Sequence, residues 1–151
     1  MHATEIARDD RTAEVLADLV RGELAAVETY EQALEKIDGF PDGTRLREIH
    51  AEHVYAVNAL RGRLGQYTTD LPKSSGAWGA FAKAVEGVAK LFGNTAALRA
   101  LHEGEEHGIK EYERAMEKEW LDTEVKSLIV SELLPKCRSH IFALERVIER
   151  Q

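Results

Sequence analysis

The chain has little cysteine, proline or aromatic content: one Cys and three Pro in 151 residues, with Phe, Trp and Tyr at 7 %. A single thiol, Cys137, excludes an intramolecular disulfide framework. No apolar run exceeds four residues, far short of the roughly 20 that cross a bilayer, so no membrane-spanning helix is expected. Basic residues are in deficit, 20 Lys+Arg against 27 Asp+Glu for a net charge of −7 with His neutral. Sequence-independent affinity for DNA or RNA comes from Lys and Arg neutralising phosphates, so no nucleic-acid partner is expected. The start Met1-His2-Ala3-Thr4-Glu5 has neither the basic residues nor the apolar run of a signal peptide, and a cytoplasmic protein is the expectation. A Gly-rich phosphate loop, a Ser-His-Asp pattern and a Cys-x-x-Cys motif are all missing, so no organic cofactor is implied.

What the chain does have is 44 % hydrophobic residues, at a length that buries roughly two-thirds of the unfolded surface in one domain, here residues 1–151. A metal is then not needed for folding, and a metal site would serve function. The apolar residues recur with spacings of three and four, the mark of one helix face. Leu16, Val20, Glu23, Val27, Tyr30, Leu34 and Ile37 predict a first helix over about 11–37, capped near Asp10 to Thr12 and stopped by the turn-rich segment 38–43. Leu46, Ile49, His53, Val57, Leu60 and Leu64 predict a second over 44–66. A Pro/Ser/Gly-containing linker and a shorter amphipathic stretch with Trp78, Phe81 and Phe92 predict a crossover helix over about 77–91, which covers a bundle groove or forms a dimer contact. Leu98, Leu101, Glu105, Ile109, Tyr112 and Met116 mark a third long helix over 95–119. Val125, Ile129, Leu133, Cys137, His140, Leu144 and Val147 mark a fourth over 123–149. Pro135 lies inside it and removes a backbone donor, so a kink or bulge is expected beside Cys137. Short loop, long crossover, short loop describes an all-α four-helix bundle with one long connection.

The chain also repeats itself. Leu19 to Lys36 aligns with Leu101 to Lys118 with eight identities, among them Gly22/Gly104, Glu23/Glu105 and Tyr30/Tyr112. More weakly, 53–57 aligns with 140–144, pairing His53 with His140. The first two helices therefore read as a copy of the last two, which predicts a pseudo-twofold axis.

Each copy places one glutamate and one histidine on an inward stripe, so the interior should hold Glu23, His53, Glu105 and His140. Burying an unpaired ionised carboxylate costs several kcal/mol, so these groups must be neutralised, paired with imidazolium or bound to a cation. A metal ion satisfies all four at once. Tyr30 and Tyr112 stand two turns along the helix from their own glutamates and are expected to line a different layer.

The segment from Gly22-Glu23 to Tyr30 resembles the first-helix motif of rubrerythrin-type ferritin-like proteins, and Gly104-Glu105 with Tyr112 resembles it again. Over nearly its full length the chain is similar to a small bacterial ferritin-like family of unknown function. The resemblance implies a ferritin-like bundle. In the metal-active members of that superfamily, the second and fourth helices each carry Glu-x-x-His. Here His50 and Cys137 stand in the places of those two glutamates, while His53 and His140 remain. Glu52 and Glu132 point around their helices away from those slots. What remains suits one ion rather than two, and the expectation is one or two ions of iron, zinc or manganese held by Glu23, His53, Glu105 and His140, with His50 and Cys137 as extra ligands. The functional expectation is a metal-binding bundle with a redox, stress or metal-handling role, forming a homodimer. The alternative is a metal-free structural or interaction bundle in which Glu23 and Glu105 pair with His53 and His140.

Overall fold

The computed structural model describes residues 3–37, 43–75, 83, 87 and 92–151. Four long helices run through them, with no strand among the described residues: α1 (Ala3–Ile37), α2 (Gly43–Leu64), α3 (Asn94–Met116) and α4 (residues 123–149). Most of the crossover helix expected over about 77–91, including Trp78 and Phe81, lies outside the described residues. Phe92, at its end, is 72 % exposed.

α1 begins at Ala3, well ahead of the expected cap. Gly22 alone interrupts a helix-favouring composition between Ala3 and Ile37, so nothing local stops the helix at Asp10, and Thr12 sits fully buried within it. At α3 the chain turns in through Gly93, whose φ of 87° lies in the left-handed region open to glycine. α4 starts from Asp122, whose side chain accepts the Glu124 backbone N–H at 3.0 Å and also receives the Tyr67 hydroxyl, tying the end of α2 to the start of α4.

α4 is not regular. It runs as Thr123–Leu128, a π-helical turn Ile129–Leu133, and Leu134–Glu149. The Leu134 backbone N–H reaches five residues back to Ile129, and Pro135 follows in the first turn of the last segment. The expected bulge is thus present, just before the proline. It also solves a register problem. The buried residues Val125, Ile129, Leu133 and Cys137 are spaced by four, and three such steps would rotate the stripe by about 120° on an ideal helix. One extra residue in a wide turn takes up most of that drift and keeps Cys137 and His140 facing inward.

The main packing is α1 on α2 and α3 on α4, with α1 against α3 and α2 against α4 closing the ring. Two apolar layers fill it. One holds Leu16, Leu60, Tyr112, Val125, Ile129 and Leu133. The other holds Tyr30, Leu46, Ile49, Leu98, Leu101 and Leu144. Truncating one of these leucines to alanine is expected to cost about 2–5 kcal/mol. Between the layers, each helix contributes one buried carboxylate or imidazole: Glu23, His53, Glu105 and His140, all 2–6 % exposed.

Candidate metal centre

His53 is the hub of the polar layer. Its Nδ1 lies 2.6 Å from Glu23 Oε2 and its Nε2 lies 2.6 Å from Glu105 Oε1. A neutral imidazole has one donor and one acceptor nitrogen, so a ring flanked on both sides by ionised carboxylates must be doubly protonated. Burial works against that charge, but the Glu105 and Glu23 carboxylates outweigh it and raise the His53 pKa well above 6.5. Burial likewise opposes ionisation of Glu105, yet His53 and His140 overcome it and hold the carboxyl below the usual range.

Each carboxylate also receives a tyrosine. Tyr30 donates to Glu105 Oε1 at 2.7 Å, and Tyr112 donates to Glu23 Oε1 at 2.6 Å. Tyr30 also stacks on the His53 ring, with centroids 5.3 Å apart. Burial first, and then the neighbouring carboxylates, push both phenols well above 10.0 and keep them protonated donors. The expectation that the tyrosines line another layer is corrected. Each stands two turns from the glutamate of its own helix, but the facing helix of the repeat brings the other glutamate level with it. The exchange is reciprocal, as a twofold relation between the halves requires.

His140 departs from that symmetry. Its Nδ1 faces Glu105 Oε2 at 3.2 Å, matching His53 and Glu23, but its Nε2 faces Glu52 Oε1 at 3.4 Å. In the repeat, the residue matching Glu52 is Ser139, which carries no carboxylate. His53 Nε2 has no such partner across the α2/α4 seam and turns to Glu105 instead. Glu52 is therefore a member of the cluster that the helical stripe did not reveal. Glu132 stays outside it and accepts from the Tyr55 hydroxyl at 2.7 Å.

His53, Glu105 and His140 each offer one ligand atom, and these atoms lie within 4.8 Å of one another in a buried setting, so the group could hold a metal ion. Two imidazoles and a carboxylate suit zinc, iron(II) or manganese. Glu23 stands behind His53 on its second nitrogen, the place of a carboxylate that orients a ligating imidazole. Of the two extra residues expected as ligands, Cys137 borders the centre and His50 does not. His50 is half-buried and its Nε2 faces Glu31 Oε1 at 3.2 Å, away from the cluster. Cys137 is 3 % exposed, and burial, followed by the charges of Glu23 and Glu105, raises its thiol pKa and keeps it neutral.

No helix among the described residues is long and apolar enough to cross a membrane. No family model, no curated protein and no solved structure matches the chain.

Proposed function

We propose that this chain is a ferritin-like bundle, with a short helix in its crossover, that binds one transition-metal ion at the centre of its polar layer. His53, Glu105 and His140 are the ligands and Glu23 is the carboxylate behind His53. The observation that carries this reading is the convergence of three ligand atoms from three helices at one buried point. Three protein ligands leave coordination positions open, as in metal sites that perform chemistry or pass an ion on, and metal handling or redox work at a single ion follows from that.

Loading is coupled to protons. His53 Nε2 and Glu105 Oε1 are 2.6 Å apart, a hydrogen-bond contact, so His53 would have to release the proton between them for both residues to hold an ion. Elemental analysis of protein purified without chelator or a nickel-charged resin tests the reading. We expect one ion per chain in the wild type and none in His140→Ala. A wild type that stays empty after aerobic loading with iron, zinc or manganese overturns it.

A second reading is favoured by one observation: the Tyr30–Glu105–His53–Glu23–Tyr112 chain is closed by hydrogen bonds without any ion. On that reading the bundle is a metal-free structural or interaction module. Its melting temperature would be indifferent to chelator and to added divalent metal, whereas a native-state ligand raises it by mass action.

A further inference from the structure

Between α1 and α3 lies a cavity of about 90 Å³ that runs from exposed residues such as Asp18 and His107 down to Glu23, His53 and Glu105. Its walls come from both halves of the repeat, with Gly22 and Ala26 on α1 matched by Gly104 and Gly108 on α3. A Cβ built on Gly22 or Gly108 meets nothing within 4 Å. These glycines are therefore not there to let two backbones touch. Glycine inside a helix destabilises it relative to alanine, so the chain gives up helix stability at these positions and keeps a space open.

The floor of that space restricts what can enter. Both tyrosine hydroxyls and both ring nitrogens of His53 are already engaged with carboxylate oxygens. A carboxylate has about four lone-pair sites, and Glu23, 6 % exposed, uses one on each oxygen, for His53 and for Tyr112. The unused capacity at the floor is that of an acceptor on a buried carboxylate. An anion would meet Glu23 and Glu105, and a neutral acceptor would find no donor. A cation with N–H donors on a short apolar stem meets both demands, its head on Glu23 and its carbons on the Gly/Ala walls.

We propose that this cavity binds a short primary alkylammonium ion, the ammonium group on Glu23 and the chain between Gly22, Ala26, Gly104 and Gly108. The site does not require the metal reading. It is tested on chelator-treated full-length protein, so failure of one reading leaves the other standing.

The experiment is a titration of the protein with propylammonium chloride, followed by backbone-amide NMR and calorimetry, with 1-propanol and sodium propionate as neutral and anionic counterparts of the same length. Saturable shifts centred on Gly22, Gly104 and Gly108 are expected with propylammonium. A charge-assisted hydrogen bond should make 1-propanol roughly tenfold or more weaker, and propionate should not bind. Gly108→Leu, which fills the cavity, should abolish the shifts. Glu23→Gln should bring propylammonium down to the affinity of 1-propanol. No saturable shift, equal binding of the three compounds, or undiminished binding to Gly108→Leu overturns the proposal. Should Gly108→Leu fail to fold, the comparison of the three compounds on the wild type decides alone.

Discussion

The hydroxyl of Tyr112 on α3 donates to Glu23 on α1 at 2.6 Å. The repeat returns the bond, from Tyr30 on α1 to Glu105 on α3 at 2.7 Å. Together the pair clamps the His53 imidazolium between two carboxylates that are each held by a phenol. Buried charge is tolerated only when paired and hydrogen-bonded, and here Glu23, His53 and Glu105 each have at least two partners.

Removing one phenol therefore leaves a buried carboxylate short of a donor. Tyr112→Phe and Tyr30→Phe are each expected to destabilise the fold by about 1–3 kcal/mol. The midpoint of urea unfolding, with the slope unchanged, measures this. Loss of only a few tenths would show that the bonds are dispensable.

Stability of the chelated protein should fall on both sides of a plateau. The His53 pKa is raised above 6.5, so its contribution is fully present below that value and is lost as pH rises through the native value. The Glu105 pKa is lowered below 4.5, so its contribution is present above 4.5 and is lost as pH falls toward the native value. Melting temperature scanned across pH should thus be highest between those two ordinary values. His53→Asn should flatten the alkaline limb, and a wild type with no alkaline limb would count against a protonated His53.

Glu23→Gln keeps all three proposed ligands and removes only the carboxylate behind His53. Metal affinity should drop by about 10–100-fold with stoichiometry unchanged. Competition against a chromophoric chelator measures both. Loss of stoichiometry would instead make Glu23 a ligand. Acidification should weaken metal binding in the wild type, because His53 must give up its proton to the ion.

Gly22→Ala should stabilise the protein by roughly 0.5–1 kcal/mol, since alanine improves the helix interior and its Cβ meets nothing within 4 Å. Thermal unfolding checks the sign. A loss of stability would mean that the groove is tighter than its geometry.

Cys137 is buried with a raised thiol pKa. It should resist iodoacetamide at neutral pH in the native protein and react promptly once the chain is unfolded, which mass spectrometry reads directly. Rapid labelling of native protein would show that the centre opens to solvent.

Much of the fold is legible without coordinates, because helix faces are written locally. The three- and four-residue spacings locate four helices, and Pro135 announces an irregularity that is realised as the turn Ile129–Leu133. The start of α1 was less legible, since Asp10 and Thr12 look like caps but occupy the interior of a longer helix. Within the site, the inward positions of Glu23, His53, Glu105 and His140 follow from periodicity alone. Glu52 does not follow, because it stands one residue from His53 and reaches His140 only through the way α2 lies along α4. His50 shows the opposite error: its place in the Glu-x-x-His pattern made it an expected extra ligand, yet its ring meets Glu31 on α1.

By itself, the sequence determined that four amphipathic helices would each carry one polar residue into a shared interior, and that the two halves would be related. Periodicity and repetition are properties of the chain alone. Only the tertiary structure decided that each tyrosine serves the other half's glutamate, that His53 bridges two carboxylates while His140 turns to Glu52, and that glycines on α1 and α3 leave an open cavity above them. Those outcomes depend on the axial offset and rotation of one helix against another, and a spacing of three or four residues along a single helix does not specify either.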